Sequence, residues 1–126
     1  MSQPIKRIMD RIDKSLSKAF AVAIKEIEKE AKAAIKASPD TIKSFCMAMG
    51  TAHFKVVWTE DWDGEPMPRD ENLGPGEFAE YGHKSPHADN IAKLLDEYNS
   101  MLRLTGWPLM IKRDDVTGEL ITLNDW

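Results

Sequence analysis

Residues 5–35 read IKRIMDRIDKSLSKAFAVAIKEIEKEAKAAI, with apolar positions at 5, 8/9, 12, 16, 19/20, 23/24, 27, 31 and 34/35. Eight steps across this stretch give a repeat of about 3.7 residues, the spacing of a single amphipathic helix. The repeat lies nearer 3.67 than the 3.5 of a heptad, so the pattern predicts an almost straight helix and not a left-handed coiled coil. Pro4 suits the first helical turn, and Lys29, Lys32 and Lys36 complement the dipole at the far end. At 1.5 Å per residue such a helix is roughly 50 Å long, whereas a compact domain of this size is about 35 Å across. One end must overhang. Either a second copy of the chain covers it, giving a homodimer through residues 5–35, or the helix breaks at the weaker helix formers Ser15 and Ser17.

Beyond this helix, Ser38-Pro39-Asp40 reads as a cap and a first turn, predicting a second helix that Gly50 ends, with Ile42, Phe45, Cys46 and Met49 on its apolar face. Phe54, Val56 and Trp58 alternate with Lys55, Val57 and Thr59, which predicts a half-buried strand. Residues 60–84 have no period and hold three prolines and four glycines, so they read as a long loop. Ser85-Pro86 opens a third helix carrying Ile91, Leu94, Leu95, Tyr98, Met101 and Leu102, closed by Gly106. Leu109 to Ile111 and Leu120 to Leu123 follow as two strands of a hairpin, joined through Asp114-Asp115-Val116-Thr117-Gly118 with Gly118 in the left-handed position. The expected fold is α+β: a long N-terminal helix and two further helices over one face of a three-stranded antiparallel sheet, in the order helix, helix, strand, loop, helix, strand, strand.

The chain has 126 residues, 42% of them hydrophobic, which fits one domain with a real core and argues against disorder. A single cysteine, Cys46, rules out a disulfide framework within the chain and fits a reducing compartment. The start MSQPIKR lacks an apolar signal region, and no apolar run approaches the roughly 18 residues of a membrane span, so a soluble, cytoplasmic protein without membrane contact is expected.

The net charge of −4 conceals a division: residues 1–38 carry nine Lys and Arg against five Asp and Glu, while residues 39–126 carry eight against sixteen. Residues 60–80 alone hold eight acids and one base, Arg69. Such asymmetry either marks an interaction surface or reflects two parts of one fold attracting each other. Large apolar side chains stand among these acids, as in an interface anchor with a polar rim. The candidate partner-binding residues are therefore Glu60, Asp61, Trp62, Asp63, Glu65, Asp70, Glu71, Glu77, Phe78, Glu80 and Tyr81.

Catalytic arrangements are weak by comparison. His83, His87 and Asp89, with Asp61 or Asp63, contain the donor types of a zinc or other divalent site, but the two histidines straddle a helix start and do not share a helical face. Asp61, Asp63 and Glu65 alternate like a calcium loop, yet the glycine comes too early and Asn72 stands where the bidentate glutamate belongs. Cys46 and His53 would need the intervening turn to bring them together, and there is no G-x-S-x-G, P-loop or dinucleotide fingerprint. Lys6, Arg7, Arg11, Lys14, Lys18 and Lys25 offer a basic helix side, but an acidic chain of pI near 5.4 with no aromatic platform on that side speaks against direct nucleic-acid binding.

The reading that follows is a stoichiometric regulator or inhibitor of the kind encoded by phages and other mobile elements. It engages a basic protein partner through residues 60–81, without a cofactor. The alternatives are a metal-dependent hydrolase using His83, His87 and Asp89, and a structural subunit of a larger assembly such as a virus particle.

Overall fold

A computed structural model describes residues 3–48, 51–60, 63–80, 86–105 and 108–123. Helix α1 runs unbroken from Gln3 to Ala37 (Gln3–Ala37), so Ser15 and Ser17 do not interrupt it. Strands β1 (Ile42–Ala48), β2 (Thr51–Glu60) and β3 (Pro66–Leu73) follow, then the short helix α2 (Pro75–Glu80), helix α3 (Pro86–Thr105), and strands β4 (Leu109–Arg113) and β5 (Leu120–Leu123). The strands form one antiparallel sheet in the order β3-β2-β1-β4-β5.

Helices cover one face of this sheet, α1 over β1 and β4 and α2 over β2 and β3, with α3 packed against both helices. The core lies between the layers. Phe45 and Met47 of β1, Phe54 and Val56 of β2, Leu73 of β3 and Leu109 and Ile111 of β4 point into it. They meet Ile27, Ala31, Ala34 and Ile35 of α1 and Ile91 and Leu102 of α3, all sealed from solvent. The small side chains of Ala31 and Ala34 let α1 lie close on the sheet. The alternate strand positions, among them Cys46, His53, Val57 and Met110, form the opposite face, which is only half-buried. This is the in-and-out alternation of an antiparallel sheet with one uncovered side.

Two expectations from the sequence are corrected. The sheet has five strands, because the segment read as a second helix is β1 and the segment read as a loop contains β3 and α2. In β1 a bulge explains the misreading: Ile42 pairs with Val56 but Ser44 with Lys55, so one extra residue enters between them. Ile42 and Phe45 then both face the core although they are three apart, a spacing that imitates a helix turn. The cap-like Ser38 does close a single turn, its carbonyl accepting from the amides of Thr41 and Ile42, before the chain extends. Strand β3, with the sequence PMPRDENL, contains residue types that strands usually avoid. It can form because it is an edge strand, where prolines need not donate and charges discourage pairing with another chain.

The hairpin behaves as its sequence indicates. Gly118 has φ 74°, its amide donates to the Asp114 carbonyl at 2.9 Å, and the Asp114 carboxylate accepts from the Val116 amide at 2.8 Å.

Helix α1 also overhangs. Its first core residue is Phe20; the described side chains between Lys6 and Lys18 are exposed, including Ile8 (56%), Met9 (58%) and Leu16 (40%).

Candidate interaction surface

The acid-rich segment is an ordered corner of the sheet. Strand β2 leaves Glu60 paired through its backbone with Pro66, and the turn between them carries exposed Asp63 and Glu65 around Gly64, whose φ of 79° suits a residue without a side chain. Along β3 the side chains alternate. Asp70 points to the uncovered face, where Lys55 Nζ lies 3.6 Å from it, both half-exposed. Glu71 points to the helical face and accepts a 2.8 Å hydrogen bond from Trp58 Nε1, with Arg69 Nη2 at 3.5 Å from the same oxygen. Trp58 thereby closes the end of the core, its ring against apolar side chains and its N–H on a carboxylate. Glu77 and Glu80 are exposed on α2.

Phe78 does not serve as a surface anchor. It is 0% exposed, stacked on Phe54 with ring centroids 4.4 Å apart, and Phe54 in turn meets Phe45 at 5.0 Å. With its amide bonded to the Gly74 carbonyl at 2.8 Å, Phe78 pins the six-residue α2 onto β2. The aromatic residue read as a partner contact is what orders the corner. Asp61, Trp62 and Tyr81 lie outside the described residues, and of Glu60 only the backbone is described.

The ion pairs among the described residues bear on the two readings of the charge division. They join Lys32 to Glu28, Lys55 to Asp70, Arg69 to Glu71 and His87 to Glu30. None of these four joins α1 to the acidic corner. The geometry separates the two instead: α1 lies over β1 and β4, while the acids belong to the far edge strand and the helix above it.

The other sequence candidates are dispersed. His83 lies outside the described residues, Asp89 is exposed at the start of α3, and His87 Nδ1 sits 2.6 Å from Glu30 Oε2 of α1. Burial raises the Glu30 pKa, but hydrogen bonds from His87 and Asn90 and the charges of His87 and Lys29 outweigh it and hold the carboxyl below its ordinary value. This pair ties α3 to α1 across 57 residues of sequence, and no local signal announces it. Among the described residues no group of three His, Cys, Asp or Glu side chains is placed to share a metal ion.

Strand pairing does set Cys46 opposite His53 on the uncovered face, which the sequence alone made improbable. Burial pushes the Cys46 thiol up, away from the thiolate that nucleophilic chemistry requires. Two hollows lie along α1, of about 560 Å³ beside Lys25, Lys29 and Lys36 and about 310 Å³ between α1 and α3 beside Glu30 and Lys93. Both open to solvent, and neither gathers a nucleophile with a base.

Among the described residues no helix is long and apolar enough to cross a membrane. Comparison with models of known protein families, with characterised proteins and with solved structures finds no match.

Proposed function

We propose that this protein acts by stoichiometric contact with another protein, as a regulator or inhibitor, and that the corner formed by the β2–β3 turn, β3 and α2 is the contact surface. The observation that carries the reading is a set of exposed carboxylates, Asp63 and Glu65 in the β2–β3 turn, Asp70 on the edge strand, and Glu77 and Glu80 on a helix that Phe78 anchors from below. Preorganised charges of one sign select a basic partner and speed its encounter more than they add raw affinity. The prolines at 66 and 68 disfavour addition of a partner strand to this edge, so recognition runs through side chains. In the same reading a second copy of the chain covers the exposed apolar stripe of Ile8, Met9 and Leu16, making a homodimer through α1.

The test replaces four carboxylates together, Asp63→Asn, Glu65→Gln, Asp70→Asn and Glu77→Gln, and repeats affinity capture from a lysate of the native host. The expected result is loss of a basic protein that the unaltered chain retains at moderate salt. Capture of the same set of proteins by both chains removes the corner from the function.

A further inference from the structure

On α1 the charges are sorted around the axis more sharply than burial requires. Taking about 100° per residue, eight of the nine Lys and Arg residues of α1 fall in one strip about 60° wide. The strip lies opposite the stripe of Ile27, Ala31 and Ala34 that seats on the sheet. Arg7, Arg11, Lys14 and Lys18 occupy the projecting part, and Lys25, Lys29, Lys32 and Lys36 continue the row over the body. All are exposed except Lys32, which is half-buried and is the one member of the row in an ion pair among the described residues. The five acids of α1, at positions 10, 13, 26, 28 and 30, fall outside the strip. Because the helix is unbroken, the row is straight and about 43 Å long at 1.5 Å per residue. Charge pairs of opposite sign three or four residues apart stabilise a solvated helix face; among the described residues this row makes one, Lys32 with Glu28.

We propose that this ridge binds the phosphate backbone of double-stranded nucleic acid, without reading sequence. A row of cations this long and free of acids matches a partner whose charge repeats over the same distance, and a duplex supplies one negative charge per about 1.7 Å of axis. No aromatic or amide side chain stands in the strip, so its contacts position a backbone and do not specify bases. The acidity of the rest of the chain does not oppose this. Arg7 and Arg11 stand roughly 20 and 14 Å along the helix from Phe20 at 1.5 Å per residue, beyond one Debye length of about 8 Å at physiological salt, so the acids of the body act on them weakly. An anionic membrane fits less well, because from Phe20 onward the apolar face that would sink into it is occupied by the sheet, which leaves Ile8, Met9 and Leu16 among the described side chains, with no aromatic anchor beside them, to insert. A second copy offers its acidic corner, with Asp63, Glu65, Glu77 and Glu80 exposed, but those carboxylates belong to one turn and one six-residue helix and do not run the length of the row. The ridge is separate from the acidic corner, and the proposal stands whether or not that corner binds a protein.

The experiment is fluorescence anisotropy with a labelled 20-base-pair duplex at 50 and 200 mM salt. A straight rod meets a curving backbone over a limited stretch, so about four phosphates are neutralised, which gives a logarithmic salt slope of about −3.6 and a weakening of roughly 10²-fold between the two conditions. The chain carrying Arg7→Gln, Arg11→Gln, Lys14→Gln and Lys18→Gln should lose binding at 50 mM salt while its circular dichroism stays unchanged, since all four positions are exposed. A control with Lys43→Gln, Lys93→Gln and Lys112→Gln, exposed cations elsewhere, should bind almost as the unaltered chain does. The proposal is overturned if the unaltered chain fails to bind duplex at 50 mM salt, if the control loses as much as the ridge variant, or if phosphatidylserine vesicles or self-association respond to the ridge substitutions while the duplex does not. The salt slope of the unaltered chain is an independent reading that needs no variant.

Discussion

Replacing Phe78 with alanine separates the two roles an aromatic residue in an acidic segment can have. Phe78 is sealed from solvent and stacked on Phe54 at 4.4 Å, while its neighbour Glu77 is exposed. Truncating a fully buried phenylalanine costs about 3–5 kcal/mol, from lost transfer free energy and the cavity left behind. Global stability at about 0.05–0.15 kcal/mol per residue is roughly 6–19 kcal/mol for this chain, so the substitution removes a large fraction of it. With an unfolding entropy near 2.1 cal/mol/K per residue, each kcal/mol moves Tm by about 4 °C, giving an expected drop of about 12–20 °C. Local collapse can soften the loss, because α2 has only six residues and is far too short to persist without its anchor; the lower end of the range is then the expected figure. Urea denaturation followed by circular dichroism measures the loss, with Glu77→Gln as a control expected within about 0.5 kcal/mol of the unaltered chain. A loss below about 1.5 kcal/mol for Phe78→Ala would place the residue outside the core and refute the packing described for α2; a surface anchor would show that small loss together with weakened partner capture.

Gly118→Ala meets no atom within 4 Å, so its only penalty is the left-handed backbone at φ 74°; a destabilisation of about 1–2 kcal/mol is expected by thermal melting, and none at all would mean that the turn adopts another conformation. The Glu30–His87 pair predicts an acid-side dependence: the folded-state pKa of Glu30 is lowered, so its contribution is present above the ordinary glutamate range and fades as pH falls through the lower folded value. Glu30→Gln should flatten that part of the stability-against-pH curve, and an unchanged acid limb would show that the pair contributes nothing.

What the sequence disclosed depended on whether a signal was local. Helix α1 is legible because its apolar repeat persists over eight steps, and β2 because Phe54, Val56 and Trp58 keep strict alternation. The β4–β5 hairpin is legible because Asp114 and Gly118 each have a specific conformational task. Strand β1 fails the same test: its bulge moves Phe45 three residues from Ile42, and over seven residues a helix and a bulged strand share one pattern. Strand β3 is hidden by its own edge position, since the prolines and charges that protect an edge are those that mark a loop. The acidic residues of the candidate surface were visible as composition. Their placement was not, because Trp58 with Glu71, Lys55 with Asp70, and Phe78 with Phe54 are long-range pairings that exist only once β2 and β3 are known to be neighbours.

The division of charge is where sequence and structure constrain each other most. From residue counts alone, a basic N-terminal segment and an acidic remainder are equally compatible with mutual neutralisation inside the fold. Neutralisation would require cations of α1 to reach the β3–α2 corner. The strand order sets the two apart: α1 is seated over β1 and β4 by Ile27, Ala31, Ala34 and Ile35, and β2 stands between β1 and the acidic edge. The apolar stripe that fixes the helix on the sheet also fixes which way its cations face, because stripe and ridge are on opposite sides of one rigid rod. Burial of the stripe therefore turns the ridge outward, onto the side of α1 that faces away from the sheet.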